Sequence, residues 1–584
     1  MAGSVASRPR CVARLVAVAA MVTVAAGCAT IPDTGPVRPG AAVLAEGEDP
    51  IIRVVARPPT TGMGPSEIVR GFLAASASSE GDHAVARQYL APATATSWEP
   101  DRRVLVYDQN VGVTLHEPAR DRVLARARVM GELDVRGAYT PLPATPRTAA
   151  FHLRRVAGEW RIDRLPQGLL LTQLDIERSY RAVDLYFLNA PGSVLVPDPI
   201  FLPVVQPGLS TRLVQALLDG PTPWLAPAVA TAFPAGTRLV VDSVPVENGV
   251  AHVDLSSGVL DATATQREQL AAQLVWTLSE LPDVNSVSIT VQGQSFPVGD
   301  PAGNETMQDW ATFDPDALPE SASGYVLTRT GLNRLFGAKL QPVEGAMGTA
   351  GSSIVDPAVS VDATTIAALS ADRRTAFVQR IEHPQQLVPV LSGADLGQPS
   401  FDSTGLLWLV DRTTHGSTFT VILPDGGRRP VAAPGLEQRH VEALALSRDG
   451  TRVAVVVTDK GRGRLLLGRV QRFTAPDEPT RLVRVTVTGL RPVEHALDDV
   501  RDVSWADADH VVVLARAPGA VRQPYSVAID ATLHQVGGAL PGLVGIAAAP
   551  DRPLLGATRD EQVWQDAGVG WRLVGRGTYA IYPG

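Results

Sequence analysis

The stretch Ala443-Leu-Ala-Leu-Ser-Arg-Asp-Gly-Thr-Arg-Val-Ala-Val-Val-Val457 predicts the fold of the C-terminal part of this 584-residue chain. Two apolar runs, each long enough for one strand, flank a polar turn that contains Asp449 and Gly450. These residue types favour tight turns, because an aspartate side chain accepts hydrogen bonds from the turn backbone and glycine tolerates positive φ. We therefore expect two adjacent strands joined by a short acidic turn.

The same order of strand, acidic turn and strand recurs along the C-terminal part. The turn aspartates are Asp372, Asp402, Asp449, Asp507 and Asp551, with a mean spacing close to 45 residues. Repeats of about 40–50 residues with this pattern are typical of β-propeller blades. Residues 320–584 are therefore predicted to form a β-propeller of five or six blades. The blade cores are the expected location of three tryptophans, in preference to a sugar-binding platform: Trp408, Trp505 and Trp564.

The turn aspartates could instead be calcium ligands. A calcium loop supplies several oxygen ligands within a few residues, whereas the turn Ser447–Gly450 contains one carboxylate. We therefore expect each aspartate to accept hydrogen bonds from its own turn. No metal ion and no cofactor are predicted for the chain.

Residues 181–300 contain the elements of an α/β domain. Asn248-Gly249 predicts a hairpin turn, because this pair adopts two positive φ angles readily. Thr265 and Glu268 have the spacing of a capping box at the start of a helix. The apolar spacing predicts two helices, the first with Leu209, Leu213 and Leu217 on one face and the second with Leu270, Leu274 and Leu278.

Five short segments of this region, in this order, resemble the GerMN domain, an α/β module without known catalysis. They are Tyr186-Phe-Leu188, Leu217-Leu-Asp-Gly-Pro221, Phe233-Pro-Ala-Gly-Thr-Arg-Leu239, Ala251-His-Val-Asp-Leu-Ser256 and Gln273-Leu-Val-Trp-Thr-Leu278. The resemblance covers about 110 residues.

Residues 62–180 show helical spacing first and strand alternation after Pro100. Ile68, Phe72 and Leu73 lie on one face of a predicted helix. Near the end, Gly158 lies in the turn of a predicted hairpin. Helices followed by an antiparallel sheet resemble the NTF2/cystatin-like cone. The fold class expected for the whole chain is therefore multidomain, with two α+β or α/β parts and an all-β propeller.

Residues 1–27 have the features of a secretory signal peptide, namely three arginines, an apolar run over residues 15–26, and small residues before Cys28. The run is shorter than the roughly 20 apolar residues that span a bilayer. Cys28 resembles the lipidated cysteine of a bacterial lipobox, although Ala25 stands where leucine is usual. The resemblance implies cleavage before Cys28 and attachment of diacylglycerol and an N-acyl chain such as palmitate. A plain signal peptide or a retained anchor is the alternative.

The cysteine count favours lipidation of Cys28. Cys11, the only other cysteine of the chain, would be removed with the signal peptide, so Cys28 would have no disulfide partner in an oxidising compartment. Residues 28–61, rich in Pro, Gly and Ala, are predicted to be a flexible spacer.

The sequence contains no arrangement of residues that is typical of a catalytic site. The net charge of −8 without a basic block argues against nucleic-acid binding. No histidine pair has the spacing of a zinc protease, and Gly461-Arg-Gly463 lacks the third glycine of a dinucleotide loop and precedes a predicted strand. His252 and Asp254 share one side of a strand, where a structural or solvent-exposed role is expected. No catalytic residue is predicted.

The order of lipobox, spacer, N-terminal unit, GerMN-like domain and propeller resembles the LpqB family of actinobacterial lipoproteins over essentially the whole chain. The resemblance implies a lipid anchor at the extracytoplasmic face of the cell membrane. It also implies binding to the extracytoplasmic domain of the sensor kinase MtrB, which acts on the response regulator MtrA, and hence a role in cell-envelope and cell-division signalling.

Two other functions stay open at this point. One is binding of a cell-wall glycan or a lipid, on the propeller or in the cone-shaped domain, and the other is an exported hydrolase, which lacks support from the residues. The sequence leaves the binding face, the blade number, the oligomeric state and any small ligand undetermined.

Overall fold

The computed structural model describes residues 56–204, 208–296, 298, 303–319, 322–337, 339–349, 353–475, 477–493, 497–529 and 533–584. The predicted signal peptide, Cys28 and the spacer up to residue 55 lie outside these ranges. The described residues belong to one compact unit that spans Arg53–Gly584. Among the residues in these ranges, no helix has both the length and the apolar character needed to cross a membrane.

The N-terminal part packs helices against one face of a six-stranded sheet. Its elements are α1 (Pro65–Ala75), α2 (Glu80–Arg87), α3 (Pro92–Ser97), β1 (Val104–Tyr107), β2 (Val113–Ala119), β3 (Arg122–Leu133), β4 (Tyr139–Val156), β5 (Glu159–Arg164), β6 (Leu169–Thr172) and α4 (Gln173–Ser179). The strand order is β5-β4-β3-β1-β6, and β2 pairs with β3.

Local sequence explains where these elements start and turn. Helix α1 begins with Pro65, and the carboxylate of Glu67 accepts a 2.7 Å hydrogen bond from the backbone N–H of Gly64. The buried face of α1 includes Ile68 and Phe72, as predicted, whereas Leu73 is only partly buried. The turn between β4 and β5 contains Gly158 at a φ of 87°, which confirms the predicted hairpin.

The second part is an α/β unit with a separate hairpin. Its elements are β7 (Tyr180–Leu188), β8 (Leu195–Pro203), α5 (Leu209–Leu218), β9 (Val246–Glu247), β10 (Val250–Leu255), α6 (Ala264–Leu278), β11 (Ser286–Val291) and β12 (Gln294–Ser295). Strands β7 and β8 pair with each other, and the other four form a sheet in the order β12-β11-β10-β9. The largest core formed by these elements also includes Trp310.

Two local predictions for this part have different outcomes. The hairpin is confirmed, because Asn248 and Gly249 join β9 to β10 at φ angles of 53° and 80°. The capping box at Thr265 and Glu268 is wrong. Helix α6 begins two residues earlier, where the hydroxyl of Thr263 accepts a 3.3 Å hydrogen bond from Gln266 N and the Gln266 side chain accepts one from Thr263 N.

Polar residues fix α6 to its neighbours. The predicted stripe of Leu270, Leu274 and Leu278 is fully buried. Beside it, the amide of Gln273 donates to the carbonyl of Tyr186 at 2.8 Å, and the hydroxyl of Thr277 accepts from the N–H of Tyr186 at 3.0 Å. These bonds hold the helix in register with β7, because buried polar groups need their partners.

The third part is a β-propeller. Blade 1 contains β13 (Tyr325–Thr328), β14 (Gly331–Phe336) and β15 (Lys339–Pro342), and helix α7 (Ala346–Thr349) follows it. Blade 2 contains β16 (Ile354–Val359), β17 (Thr365–Ser370), β18 (Thr375–Arg380) and β19 (Val388–Ser392). Blade 3 contains β20 (Ser400–Phe401), β21 (Leu407–Thr413), β22 (Gly416–Ile422) and β23 (Arg428–Ala432).

The remaining blades follow in chain order. Blade 4 contains β24 (Val441–Leu446), β25 (Arg452–Asp459), β26 (Arg462–Ala475) and β27 (Glu478–Pro492). Blade 5 contains β28 (Asp499–Trp505), β29 (His510–Arg516), β30 (Arg522–Ala528) and β31 (Leu533–Gln535). Blade 6 contains β32 (Leu543–Ala549), β33 (Arg552–Thr558), β34 (Gln562–Asp566) and β35 (Trp571–Arg576), and the last strand is β36 (Tyr579–Ile581).

The last strand closes the ring. Strand β36 pairs with β13 and becomes the inner strand of blade 1, so that the described residues form six blades of four strands. Blades 3 and 4 are joined at their outer strands, where β23 pairs with β27 in parallel. The predicted fold class, two mixed α and β parts followed by a propeller, is confirmed.

Candidate interaction surfaces

The one site residue that the sequence predicts, Cys28, lies outside the described residues, and its lipidation stays a prediction. The structure instead shows how the turn aspartates, the joint between the second part and the propeller, and one cavity are built.

Four of the predicted turn aspartates lie in the turn that follows the innermost strand of a blade, namely Asp402, Asp449, Asp507 and Asp551. Asp372 lies one hairpin later, between β17 and β18, so its assignment to the same repeat position is wrong. The equivalent residue of blade 2 is Asp362, between β16 and β17. The two turns were confused because both have the pattern Ser-x-Asp, at Ser360 and at Ser370.

The expected role of the aspartates is confirmed at most of these turns. A carboxylate oxygen accepts the backbone N–H two residues further on, at 3.1 Å from Arg374 to Asp372 and at 2.6 Å from Thr451 to Asp449. Asp402 and Asp507 accept equivalent bonds at 2.9 and 3.1 Å. No such bond is seen at Asp551 in the described part of the chain. The turn residues therefore act in local structure.

Two of these aspartates also form buried ion pairs, which the sequence analysis missed. Asp449 lies 3.3 Å from the guanidinium of Arg452, and Asp402 lies 2.6 Å from that of Arg472. The four side chains are at most 5% exposed. Removing one member of such a pair leaves an uncompensated buried charge. The available signal was Arg452 itself, a charge next to the apolar run of β25.

The predictions for other singled-out residues are borne out with one exception. His252 is exposed, while Asp254 accepts hydrogen bonds from Thr290 and Gly293 rather than from His252. Trp408 and Trp505 are buried in the blades, whereas Trp564 is only partly buried. The turn at Gly461 joins β25 to β26, as a hairpin turn should.

The second part of the chain is fixed to blade 4 of the propeller through Trp224. Its indole N–H donates to the carbonyl of Gly489 at 2.7 Å, and the guanidinium of Arg491 stacks 4.1 Å from the ring centroid. Arg469 donates to the backbone carbonyl of Trp224. Cation–π contacts with a desolvated tryptophan are among the stronger interactions of this kind.

The ion-paired turn of blade 4 is part of the same joint. Arg452, which pairs with Asp449, also donates to the carbonyl of Pro197 in β8. The side-chain amide of Asn189, fully buried after β7, donates to the carbonyl of Asp449 at 3.3 Å. The β7–β8 hairpin and the propeller turn therefore satisfy each other's polar groups.

Carboxyl groups from both parts face one another beside this joint. Burial and the charge of Asp509 raise the pKa of Asp184, whose Oδ1 is buried without a hydrogen-bond partner. Burial also raises the pKa of Glu280, which accepts a 3.1 Å hydrogen bond from the hydroxyl of Tyr186. The region therefore favours protonated carboxyl groups or bound cations.

His510 supplies one such cation. Its Nδ1 lies 3.0 Å from Asp507 and 2.8 Å from Asp509, and these two hydrogen bonds raise the pKa of His510 to about 11. The ligand atoms of the three residues lie within 4.8 Å of one another, which is compact enough for a metal ion. Protonated His510 compensates one of the two carboxylate charges, and its Nδ1–H is shared between Asp507 and Asp509.

A cavity of about 590 Å³ lies between blades 2 and 3. Phe401, Ile422 and Val378 are part of its apolar lining, and Arg380 is among its polar residues. The hydroxyl of Ser403 in this lining is buried and has no hydrogen-bond partner. A cavity of this size with a few polar groups suits a small organic ligand.

Comparison with known proteins agrees with this architecture. Three family models match, described as "Lipoprotein LpqB, N-terminal domain" over residues 58–177, "Sporulation and spore germination" over 184–296, and "Lipoprotein LpqB beta-propeller domain" over 330–583. A Lipoprotein LpqB from Thermobifida fusca is 33% identical and aligns over 98% of this chain and 99% of its own. One from Streptomyces coelicolor is 32% identical over 96% of both chains.

The fold and these matches define a multidomain lipoprotein class in which a germination-type module precedes a six-bladed propeller. Within that class, the chain belongs to the LpqB lipoprotein family. Relatives in this family are named as lipoproteins and not as enzymes, which implies a membrane-anchored protein of the cell envelope.

Proposed function

We propose that this protein is a non-enzymatic lipoprotein, anchored through Cys28 at the extracytoplasmic face of the cell membrane, that binds and modulates the sensor kinase MtrB. Support comes from membership of the LpqB family, together with one observation of the structure. The second part and the propeller are locked together through Trp224 and the Asp449 turn. Such a joint presents one preformed surface to a partner, and preformed surfaces avoid the ordering cost of binding.

Binding to the kinase is tested with the lipidated chain and the purified extracytoplasmic domain of MtrB. We expect direct binding and a change in kinase autophosphorylation when both proteins are reconstituted in one bilayer. Trp224→Ala should weaken the effect if the partner contacts both parts at once. Trp160→Ala is the matched control, because Trp160 stacks on Arg155 within the N-terminal part alone. Absence of any binding to the kinase domain contradicts the proposal.

The lipid anchor is tested separately with Cys28→Ser. We expect the variant to leave the membrane fraction or to accumulate as an uncleaved precursor, because the lipid would have no attachment site. Mass spectrometry of the wild-type N-terminus should show diacylglycerol and an acyl chain on Cys28. A normally processed Cys28→Ser chain that stays in the membrane fraction contradicts the anchor.

The cavity between blades 2 and 3 favours a second candidate function, binding of a cell-wall glycan or a lipid. Filling the cavity by Ser403→Leu should abolish the rise in melting temperature that such a ligand causes, since a ligand stabilises only the state that binds it. Ser392→Leu, at an exposed position outside the cavity lining, is the control. If soluble wall fragments and lipids leave the melting temperature unchanged, this second candidate fails.

A further inference from the structure

The charge of this protein is divided unevenly along the chain. Residues 56–180 contain sixteen arginines and fourteen carboxylates, a net charge of +2. Residues 181–584 contain 31 basic residues and 42 carboxylates, a net charge of −11. The N-terminal part is therefore the region that an anionic surface would attract, while the rest of the chain would be repelled.

The arginines of the N-terminal part form a stripe along β3. Arg122, Arg126 and Arg128 are exposed, whereas Val123 and Ala125, which alternate with them, are buried under the helices. Because successive side chains of a strand point to opposite faces, the three arginines lie on the outer face of the sheet.

Neighbouring strands extend this basic face. Arg122 lies opposite His152 of β4, which in turn lies opposite the exposed Arg164 of β5. On the other side, Arg126 lies opposite Thr114 of β2. We call the four exposed arginines of this surface, Arg122, Arg126, Arg128 and Arg164, the basic face.

The carboxylates of these strands do not neutralise the basic face. Asp163 lies 2.6 Å from Arg154, and Glu132 lies 3.8 Å from Arg103. Within the described ranges, none of the four arginines of the basic face has an ion-pair partner. Their charges are therefore available to an external anion, and they contribute nothing evident to the fold.

The position of the basic face along the chain favours a membrane over a soluble partner. The N-terminal part is the first region after Cys28 that the structure describes, and 27 residues separate Cys28 from Ala56. For the flexible spacer that the sequence predicts, this length corresponds to a root-mean-square span of about 30 Å. Attachment to the bilayer would thus hold the basic face at high effective concentration near the headgroups, where weak contacts become sufficient.

We propose that the basic face docks on the anionic phospholipid headgroups of the membrane that carries the lipid anchor. Guanidinium groups suit this role, because they bind phosphate oxygens in a bidentate manner. Docking would fix the orientation of the N-terminal sheet relative to the bilayer. The inference rests on lipid anchoring alone and is independent of the identity of any kinase.

The test uses the lipidated chain reconstituted in vesicles of phosphatidylcholine, with or without 30% phosphatidylglycerol. A donor dye on Val111→Cys, an exposed position before β2, reports energy transfer to an acceptor in the headgroups. We expect more energy transfer in vesicles with phosphatidylglycerol than without it, and we call this increase the gain. The gain should be lost in 0.5 M NaCl. Each arginine near an anionic surface changes the ratio of docked to undocked protein about fivefold. The triple variant Arg122→Gln/Arg126→Gln/Arg128→Gln should therefore lower this ratio about a hundredfold.

Two further variants keep the test decisive. The triple variant with lysine at the same three positions keeps the positive charges and should keep most of the gain. A loss of the gain in the Gln variant alone is then due to the lost charges and not to misfolding. Arg428→Gln/Arg516→Gln/Arg576→Gln removes three exposed arginines from the propeller and should leave the gain intact. Equal transfer in both vesicle types overturns the proposal, and so does a Gln triple variant at β3 that retains the gain. If that variant loses kinase binding but keeps the gain, the basic face is a protein interface and the proposal is wrong. If the wild-type chain docks on the vesicles but does not bind the kinase, only the proposed function fails.

Discussion

Two turns of the propeller share one sequence pattern and differ in what surrounds them. In the turn after Ser447, the hydroxyl donates to Asp449 at 2.6 Å, and in the turn after Ser370 the hydroxyl donates to Asp372 at the same distance. Asp449 is 1% exposed and pairs with Arg452, which also reaches the second part of the chain. Asp372 is open to solvent.

The same local hydrogen bonds therefore contribute very differently to the stability of the two turns. In the exposed turn, water replaces any bond that is removed, so the cost is small. In the buried turn, loss of the carboxylate leaves the guanidinium of Arg452 without its counter-charge. The tertiary contact, and not the turn, determines which aspartate is essential.

The largest expected effect comes from removing the carboxylate of Asp449, which we compare with removal of the carboxylate of Asp372. Asp449→Ala should lower the free energy of unfolding of the propeller by about 3–5 kcal/mol, because a buried charge loses its partner. Asp372→Ala should have a much smaller effect. Urea unfolding followed by tryptophan fluorescence measures both. Equal losses for the two variants would show that the turn itself carries the stability.

A third aspartate, Asp502, should make the stability of the propeller depend on pH. Asp502 is buried, and within the described ranges it forms no ion pair with an arginine. It accepts N–H bonds from Ile546 and Val503, and burial raises its pKa to about 7. The folded state thus keeps a proton that the unfolded chain loses above pH 4, so stability falls by about 3 kcal/mol as the pH rises from 4 to 7. In Asp502→Asn this fall should be smaller, as thermal unfolding at each pH would show.

Asp372 provides the control of opposite sign. Hydrogen bonds from Ser370 and Arg374 lower the pKa of Asp372. Its contribution is therefore present above the unfolded pKa of about 3.9 and is lost as the pH falls below that value. Asp372→Asn should leave the pH 4–7 dependence unchanged, and a change there as large as in Asp502→Asn would contradict the assignment.

The next prediction concerns the joint between the second part and blade 4, which covers the buried turn at Asp449. Trp224→Ala removes the indole bond to Gly489 and the stacking of Arg491, with an expected loss of about 2 kcal/mol. Calorimetry should then resolve separate transitions for the second part and the propeller. In Trp160→Ala the number of transitions should stay as in the wild type. A Trp224→Ala chain that still unfolds as the parent does would show that the joint does not couple the two parts.

The smallest expected effect on stability comes from removing the hydroxyl of Ser447 or of Ser370. Ser447 is fully buried, and its hydroxyl accepts the N–H of Arg452 at 2.9 Å. Ser447→Ala should cost about 1–2 kcal/mol, because a buried donor loses its partner. Ser370→Ala should cost less, since water can replace the hydroxyl there. Chemical unfolding of both variants tests the order, and a larger loss for Ser370→Ala would reverse the comparison.

Local sequence was a good guide to the elements of this fold. The Asn248-Gly249 hairpin, the helix that carries Leu270 and the repeated acidic turns all follow from periodicity and turn chemistry. It failed where two segments offered the same pattern. Thr263 and Thr265 both precede a residue able to complete a capping box, and Ser360 and Ser370 both precede an aspartate. Only packing decides between such equivalents.

The interaction surfaces depend on contacts between residues far apart in the chain. Trp224 and Gly489 are 265 residues apart, and Arg452 and Pro197 are 255 apart. Neither pair has a signature in local sequence, because each residue type is common in unrelated surroundings. The basic face has a partial signal, since Arg122, Arg126 and Arg128 alternate with apolar residues, but the availability of their charges depends on where Asp163 and Glu132 point.

The sequence by itself determined the family, the kinds of folded parts and their order, and it singled out Cys28 as the expected lipid site. Periodicity and turn residues suffice for this, because they act over a few neighbouring positions. The tertiary structure decided the number of blades, the burial of Asp449 beside Asn189, and the exposure of the basic face. These depend on ring closure by β36 and on which polar groups find partners across the joint, and both are properties of the packed chain as a whole.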